Sequence, residues 1–233
     1  MAVSRSRKTA IFDIDGTIFR SSLLIELSEA MIGAGIWKPS VRKIYEKDRE
    51  RWIARKGDYE TYIRSVIRMF EGHIEGVRYA DFLRVSSMVV ESQQDRVYRF
   101  TRDLVRDLKK KNYYVLAISQ SPWEAVREFG KRLGFSKVYG MVYELDQKKQ
   151  RFNGNILHRD LILDKAAVLR RAVEVEGLSL KSSIGVGDTG SDIPFLKMVD
   201  RPICFNPNRA LYRHARRAGW EIVVERKDVV YTI

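Results

Sequence analysis

Two acidic pairs are the residues of this chain whose types and spacing could do chemistry. The first is Asp13-Ile14-Asp15-Gly16-Thr17, directly after a short apolar run, Thr9–Phe12. In an extended loop alternate residues point the same way, so both carboxylates can face one site. Gly16 lets the backbone turn tightly and approach a ligand. Two acids this close repel each other unless a cation or a shared proton lies between them. Mg²⁺ suits such a pair, because it takes oxygen ligands and only a few of them from protein. The alternative is a capping turn with solvated acids. The second pair is Gly187-Asp188-Thr189-Gly190-Ser191-Asp192, again behind an apolar run. Asp192 there also suits a helix cap, a role that fits Asp188 poorly.

Two further positions complete the candidate set. Ser119 ends the run Tyr113–Ile118 and precedes Gln120-Ser121-Pro122. A hydroxyl and free amides at a strand end before a helix make a phosphate cradle, although Ser before Pro is also ordinary turn chemistry. Lys165 opens a helical pattern, where a cation opposes the helix dipole. It is either solvent-exposed or the partner of a bound anion.

The elements that must position these residues follow from periodicity. Thr9–Phe12, Tyr113–Ile118, Ser183–Val186, Arg201–Phe205 and Trp220–Val224 read as strands. Helical patterns at Trp123–Leu133, Lys165–Val175, Asp192–Val199 and Asn208–Ala218 alternate with them. That alternation predicts an α/β fold, a Rossmann-like parallel sheet with helices on both faces and its site at the carboxyl ends of the strands. From about Arg20 to Arg96 no strand is legible. Leu23, Leu24, Leu27, Ala30 and Met31 predict a helix stopped by Gly33 and Gly35. Pro39 opens a second, running to about Lys56. Asp58 caps a third with an apolar stripe from Tyr59 to Phe70, and a fourth covers Tyr79–Glu91. An inserted all-helical cap over residues 20–96, on a core of 1–19 and 97–233, is the expected organisation. Between Tyr139 and Leu157 a hairpin is expected, with Asn153-Gly154 as its turn.

These pieces, in this order, resemble the haloacid dehalogenase superfamily over almost the whole chain. Asp13, Asp15 and Thr17 match its DxDxT motif, Ser119 its second motif, Lys165 its third, and Gly187, Asp188 and Asp192 its GDxxxD motif. The helical insert resembles the cap of the branch that includes phosphoserine phosphatase. The resemblance implies a phosphatase acting on a small phosphorylated metabolite. Asp13 would be the nucleophile that carries an aspartyl phosphate, and Asp15 the acid and base. Mg²⁺ would lie on Asp13, the carbonyl of Asp15 and Asp188, with Asp192 as support or alternate ligand. Gly16, Thr17, Ser119, Gln120 and Lys165 would bind the phosphoryl group. Phosphoserine enzymes of the branch usually carry a Glu where Ser22 stands, so phosphoserine is not the expected substrate. Transfer to a sugar or other acceptor is the alternative reaction.

Composition bounds the rest. With 233 residues, 45% hydrophobic and 31% charged, the chain suits one core plus a smaller insert and reads as soluble and globular. The single cysteine, Cys204, excludes an internal disulfide. No signal peptide or membrane span is legible, and the cytoplasm is the default location. A net charge of +13 and pI of 9.8 suit anionic partners. The clusters at Arg5–Lys8, Lys109–Lys111, Lys148–Arg151 and Arg209–Arg217 lack the interleaved aromatics of a nucleic-acid module, so a basic module binding nucleic acid is the lesser alternative. His73, His158 and His214 show no metal-ligand spacing and read as surface or structural. Trp37, Trp52, Tyr59 and Phe70 read as core, while Tyr45 and Arg49 could face either the cleft or water.

Overall fold

The computed structural model describes residues 7–233. Residues 1–6, which hold the start of the first basic cluster and of the expected core segment, lie outside the described residues. β1 (Arg7–Phe12) is followed by helices α1 (Leu23–Gly33), α2 (Glu46–Ile53), α3 (Tyr59–Glu71), α4 (Tyr79–Gln93) and α5 (Arg99–Lys110), with a 3₁₀ turn at Pro39–Ile44. Then come β2 (Tyr114–Pro122), α6 (Trp123–Leu133), β3 (Lys137–Asp146), β4 (Arg151–Leu157), α7 (Arg159–Leu163) and α8 (Lys165–Glu176). The chain ends through β5 (Leu178–Gly187), α9 (Ile193–Leu196), β6 (Arg201–Phe205), α10 (Arg209–Ala218), β7 (Glu221–Arg226) and β8 (Val229–Thr232).

The strands form one sheet in the order β4-β3-β2-β1-β5-β6-β7-β8. From β3 to β7 neighbours run parallel, and only the outermost pairs, β3–β4 and β7–β8, are antiparallel. Side chains alternate across each strand, which explains two apolar layers. Phe12, Val115, Val186 and Phe205 pack with Val105 of α5 and Phe129 of α6. Ile11, Leu116 and Ile222 pack with Leu169 of α8, Phe195 of α9 and Leu211 of α10. Helices therefore cover both faces, as the alternating pattern predicts. Strand order turns around β1, so the crevice of such a sheet opens beyond β1 and β5. No helix among the described residues is long and apolar enough to cross a membrane.

α1 to α4 lie between β1 and α5. Asp58 caps α3 by accepting from the amide of Thr61 at 2.8 Å. The two passages of chain beside these helices run together, with Arg20 N donating to Arg96 O at 2.8 Å and Tyr98 N to Ile18 O at 2.9 Å. The α3–α4 loop docks on β4 through Gly76 N to Phe152 O and Phe152 N to Val77 O, at 2.8 and 3.0 Å.

Three expectations are corrected. The hairpin turns at residues 147–150, where Asp146 Oδ1 accepts from the amides of Lys148 and Lys149 at 3.0 and 3.1 Å. That side-chain closure wins over Asn153-Gly154, which lies within β4, with Gly154 at φ +88°. The helix expected from Pro39 to Lys56 breaks at Tyr45, whose ring turns inward so that its hydroxyl bonds Glu29, already held by Arg42. Tyr45 therefore faces the core, and Arg49 is exposed. Finally, α5 occupies a stretch to which the sequence reading assigns no element.

Candidate active site

Asp13 and Asp188 stand just past the carboxyl ends of β1 and β5, and Ser119 lies in the carboxyl-terminal part of β2. Parallel pairing sets this: Phe12 lies opposite Ala117 on one side and Val186 on the other, and Asp13 N donates to Val186 O at 2.9 Å. Residues far apart in sequence thus share one end of the sheet. Asp13 is 4% exposed and Lys165 also 4%.

Lys165 is not solvent-exposed. Its Nζ donates to Asp13 Oδ1 at 2.7 Å and to Asp192 Oδ1 at 2.5 Å. Burial alone would lower its pKa, but Asp13 and Asp192 outweigh that and hold it above the ordinary lysine value. Asp192 uses its other oxygen to accept from the amides of Asp188 and Thr189, at 3.0 and 2.9 Å. This capping box shapes the loop that presents Asp188. Gly187 is required there, since a Cβ would lie 2.6 Å from Cβ of Asp192.

Gly16 has a steric role. Its φ is +78°, and a Cβ would stand 2.1 Å from Oδ2 of Asp188. Its amide is committed to the carbonyls of Phe19 and Ser21, at 3.0 and 3.1 Å. The amides of Ile14 and Asp15 have no hydrogen-bond partner among the described residues. Thr17 Oγ1 lies 3.3 Å from Asp188 Oδ1 and 3.5 Å from Asp13 Oδ2, linking the two acidic motifs. The Gln120 side chain donates to Leu163 O at 3.3 Å.

Asp15 does something the sequence did not suggest. Its Oδ1 accepts from the amide of Leu23 at 2.5 Å, so it caps α1 from outside, while Ser22 at the N-cap position makes no side-chain cap bond. Its Oδ2 accepts from Ser119 at 2.7 Å and from Ser121 at 2.8 Å. Burial pushes the Asp15 carboxyl up from its ordinary value, against the pull of these donors. Ser121, which sequence reasoning passes over, therefore fixes the Asp15 rotamer. Its signal was the i, i+2 spacing from Ser119 on an extended segment. Ser121→Ala removes one bond to a charged group, typically about 1.5–3 kcal/mol. The expected result is a roughly tenfold lower kcat with an unchanged fold, checked by steady-state kinetics and circular dichroism.

Asp13, Asp188 and Asp192 bring carboxylate oxygens within 4.8 Å of one another. Burial, reinforced by the neighbouring acids, pushes Asp13 up to about 7 despite Lys165, and pushes Asp188 well above its ordinary range. Such crowding is what a hard cation relieves, and hard oxygens are what Mg²⁺ takes. Lys165 and the loop amides engage both oxygens of Asp192, and Lys165 engages Asp13 Oδ1, so the oxygens still available are Asp13 Oδ2 and those of Asp188, which meet only the long Thr17 contacts. A cavity of about 550 Å³ opens above them, walled by Leu24 and Ser22 of the α1 end and by Tyr59, Ile63 and Ile67 of α3. Tyr59, expected in the core, packs against it in part and also lines this cavity. Trp37 and Phe70 are core as expected. His73, His158 and His214 do not line this cavity.

Comparison with known proteins agrees with this arrangement. A family model described as haloacid dehalogenase-like hydrolase matches residues 10–197. A phosphoserine phosphatase of Mycobacterium tuberculosis is 25% identical over 218 residues, 91% of this chain and 69% of that one. Among solved structures, a protein of unknown function from Bordetella pertussis Tohama I superposes with a TM-score of 0.72 at 17% identity, covering 93% of this chain and 98% of that one. A phosphoserine phosphatase carrying a phospho-aspartyl intermediate analogue superposes with a TM-score of 0.61 at 20% identity, covering 96% of each chain. The family match spans most of the chain and contains every one of the site motifs: the chain belongs to the haloacid dehalogenase-like hydrolases, on the branch that includes phosphoserine phosphatase.

Proposed function

We propose that this phosphatase hydrolyses a small phosphorylated metabolite, with Mg²⁺ as cofactor and an aspartyl phosphate on Asp13 as intermediate. The observation that supports this most is Asp13 itself. It is a buried carboxylate on the cavity floor, oriented by Lys165, with a second acid two residues on. A residue that only capped a turn would need neither the buried lysine nor the facing Asp188.

In this reading Asp13 attacks phosphorus in line, and the ester P–O bond breaks as Asp15 gives its proton to the leaving oxygen. Burial favours the protonated form of Asp15 that this step needs. Asp15, now a carboxylate, takes a proton from water. That water attacks phosphorus, releases phosphate and restores Asp13. Ser119, Lys165, the Gln120 main chain and the amides of Ile14 and Asp15 receive the phosphoryl oxygens. Mg²⁺ held by Asp13, Asp188 and the main-chain carbonyl of Asp15 would offset the charge on those oxygens. Asp192 positions both the Asp188 loop and Lys165. Thr17 ties Asp13 to Asp188, and Gly16 keeps space for Asp188. The helices within 20–96 act as a cap over the site.

Phosphoserine does not suit this cavity, although relatives carry that name. Ser22 stands at its wall without a charge to meet an ammonium. Beyond the acid cluster and Lys165, the charged side chains there are Glu60 and Arg64, which pair with each other.

The test is hydrolysis of p-nitrophenyl phosphate. Turnover is expected with Mg²⁺ and is expected to vanish in excess chelator and return on adding the metal. Full activity in chelator would overturn the metal-assisted reading.

A further inference from the structure

We infer that the alcohol part of the substrate is an apolar alkyl group lying along one ridge of α3. This rests on the phosphatase reading of the same site and assigns its substrate class.

α3 carries more apolar surface than its packing uses. Tyr62, Val66, Met69 and Phe70 form the buried face. Tyr59, Ile63 and Ile67 recur at intervals of four and so form a second ridge beside it. All three are only half-buried, and all three line the cavity above Asp13. Leu24 of α1 lines the same cavity. The ridge begins over the chemistry, because Tyr59 at its start lines the same cavity as Asp13, Asp15 and Asp188.

The polar groups are distributed unevenly. The phosphate end holds Asp13, Asp15, Lys165 and Asp188. Along the α3 wall, Glu60 and Arg64 are exposed and pair with each other without net charge, and such solvated groups hold a charged leaving group only weakly. Ser22 offers a hydroxyl and no charge. At about 550 Å³ the cavity is in the size range of small-molecule sites, larger than a phosphoryl group needs. A zwitterionic or polyhydroxylated leaving group entering it would lose water and meet isoleucine. An alkyl chain would cover Ile63 and Ile67 and release water from both surfaces.

The experiment is a kcat/KM series with Mg²⁺ over n-alkyl phosphates from methyl to octyl, beside phosphoserine and glycerol 3-phosphate. Burial of one methylene is worth about 0.8 kcal/mol, so kcat/KM is expected to rise about fourfold per methylene until the ridge is covered, then level off. Phosphoserine and glycerol 3-phosphate are expected below propyl phosphate. In the Ile63→Ser/Ile67→Ser variant the ratio of hexyl to methyl phosphate is expected to fall about tenfold or more. A ratio measured within one protein does not depend on how much of it is folded. Should that variant not fold at all, the wild-type series still decides. A flat series, or phosphoserine as the best ester, would overturn the apolar subsite while leaving the hydrolase intact. No turnover of any alkyl phosphate or of p-nitrophenyl phosphate would overturn the reading of the site as well.

Discussion

Asp13→Asn is expected to abolish both turnover and covalent phosphorylation, while Asp15→Asn is expected to form phosphoenzyme slowly and then hold it. The asymmetry follows from where each side chain sits. An amide at position 13 can still accept from Lys165 Nζ, now 2.7 Å from Asp13 Oδ1, and Lys165 keeps Asp192 as counter-charge. The fold therefore survives, but an amide is not a nucleophile towards phosphorus. At position 15 the main-chain carbonyl is unchanged, so that proposed ligand for Mg²⁺ remains. The amide oxygen can go on capping Leu23 N, and the hydroxyls of Ser119 and Ser121 can turn to accept from the new NH₂ group. What is lost is the proton carrier, worth about 10²–10⁴-fold in rate. An aryl phosphate, with a good leaving group, needs little protonation for the first step, so the label accumulates. Mass-spectrometric mapping checks this. Label on another residue, or unimpaired turnover by Asp13→Asn, would overturn the mechanism.

Lys165→Met is expected to lower both activity and stability, and the stability loss should shrink as pH falls. Lys165 is the counter-charge to two carboxylates that are 6% and 0% exposed at the side chain. Removing one partner from a buried ion pair typically costs about 3–5 kcal/mol. For a chain of this length each kcal/mol moves Tm by about 2–4 °C, so a drop on the order of 10 °C is expected. The pH sign follows from Asp13. Burial already raises its folded value from 3.8 to about 7 with the lysine present, and losing the lysine raises it further. Between pH 8 and about 5.5 the folded variant then binds a proton that the unfolded chain does not, so its stability rises as pH falls. Thermal unfolding in chelator at pH 8 and pH 5.5 measures this. An equal deficit at both would show that Asp13 does not sense Lys165. Loss of a buried donor to the phosphoryl group should cost a further 10²–10³-fold or so in kcat.

The acidic motifs were legible because their chemistry is local. Asp13 and Asp15 stand two apart behind an apolar run, and Gly187 to Asp192 make one turn. Every strand but β8, and most helices, were legible for the same reason, since short apolar β-branched runs and a cap such as Asp58 are short-range signals. α5 was within reach too, with Phe100, Leu104, Val105 and Leu108 at helical spacing among charges. The hairpin turn was misplaced because two short-range signals competed, and the Asp146 side chain closed the turn that Asn153-Gly154 advertised.

By itself the sequence determined the residue types available for phosphoryl chemistry, their order, and the alternation that makes a parallel sheet. The tertiary structure decided what each one touches. Gly16 is needed because Asp188, 172 positions later, fills the space its side chain would take. Lys165 looks like a misplaced helix-start cation until Asp13 and Asp192 close on it. Ser121 and the α1 amide converge on Asp15 only once β2 lies beside β1. The apolar stripe of α3 divides into a core face and a cavity ridge only when α1 and the sheet define where the core ends. Periodicity reports how a segment is wound, because winding depends on neighbours three or four residues away. It carries no record of which distant segment arrives against each face, and that arrival is what turns these carboxylates, hydroxyls and isoleucines into a site.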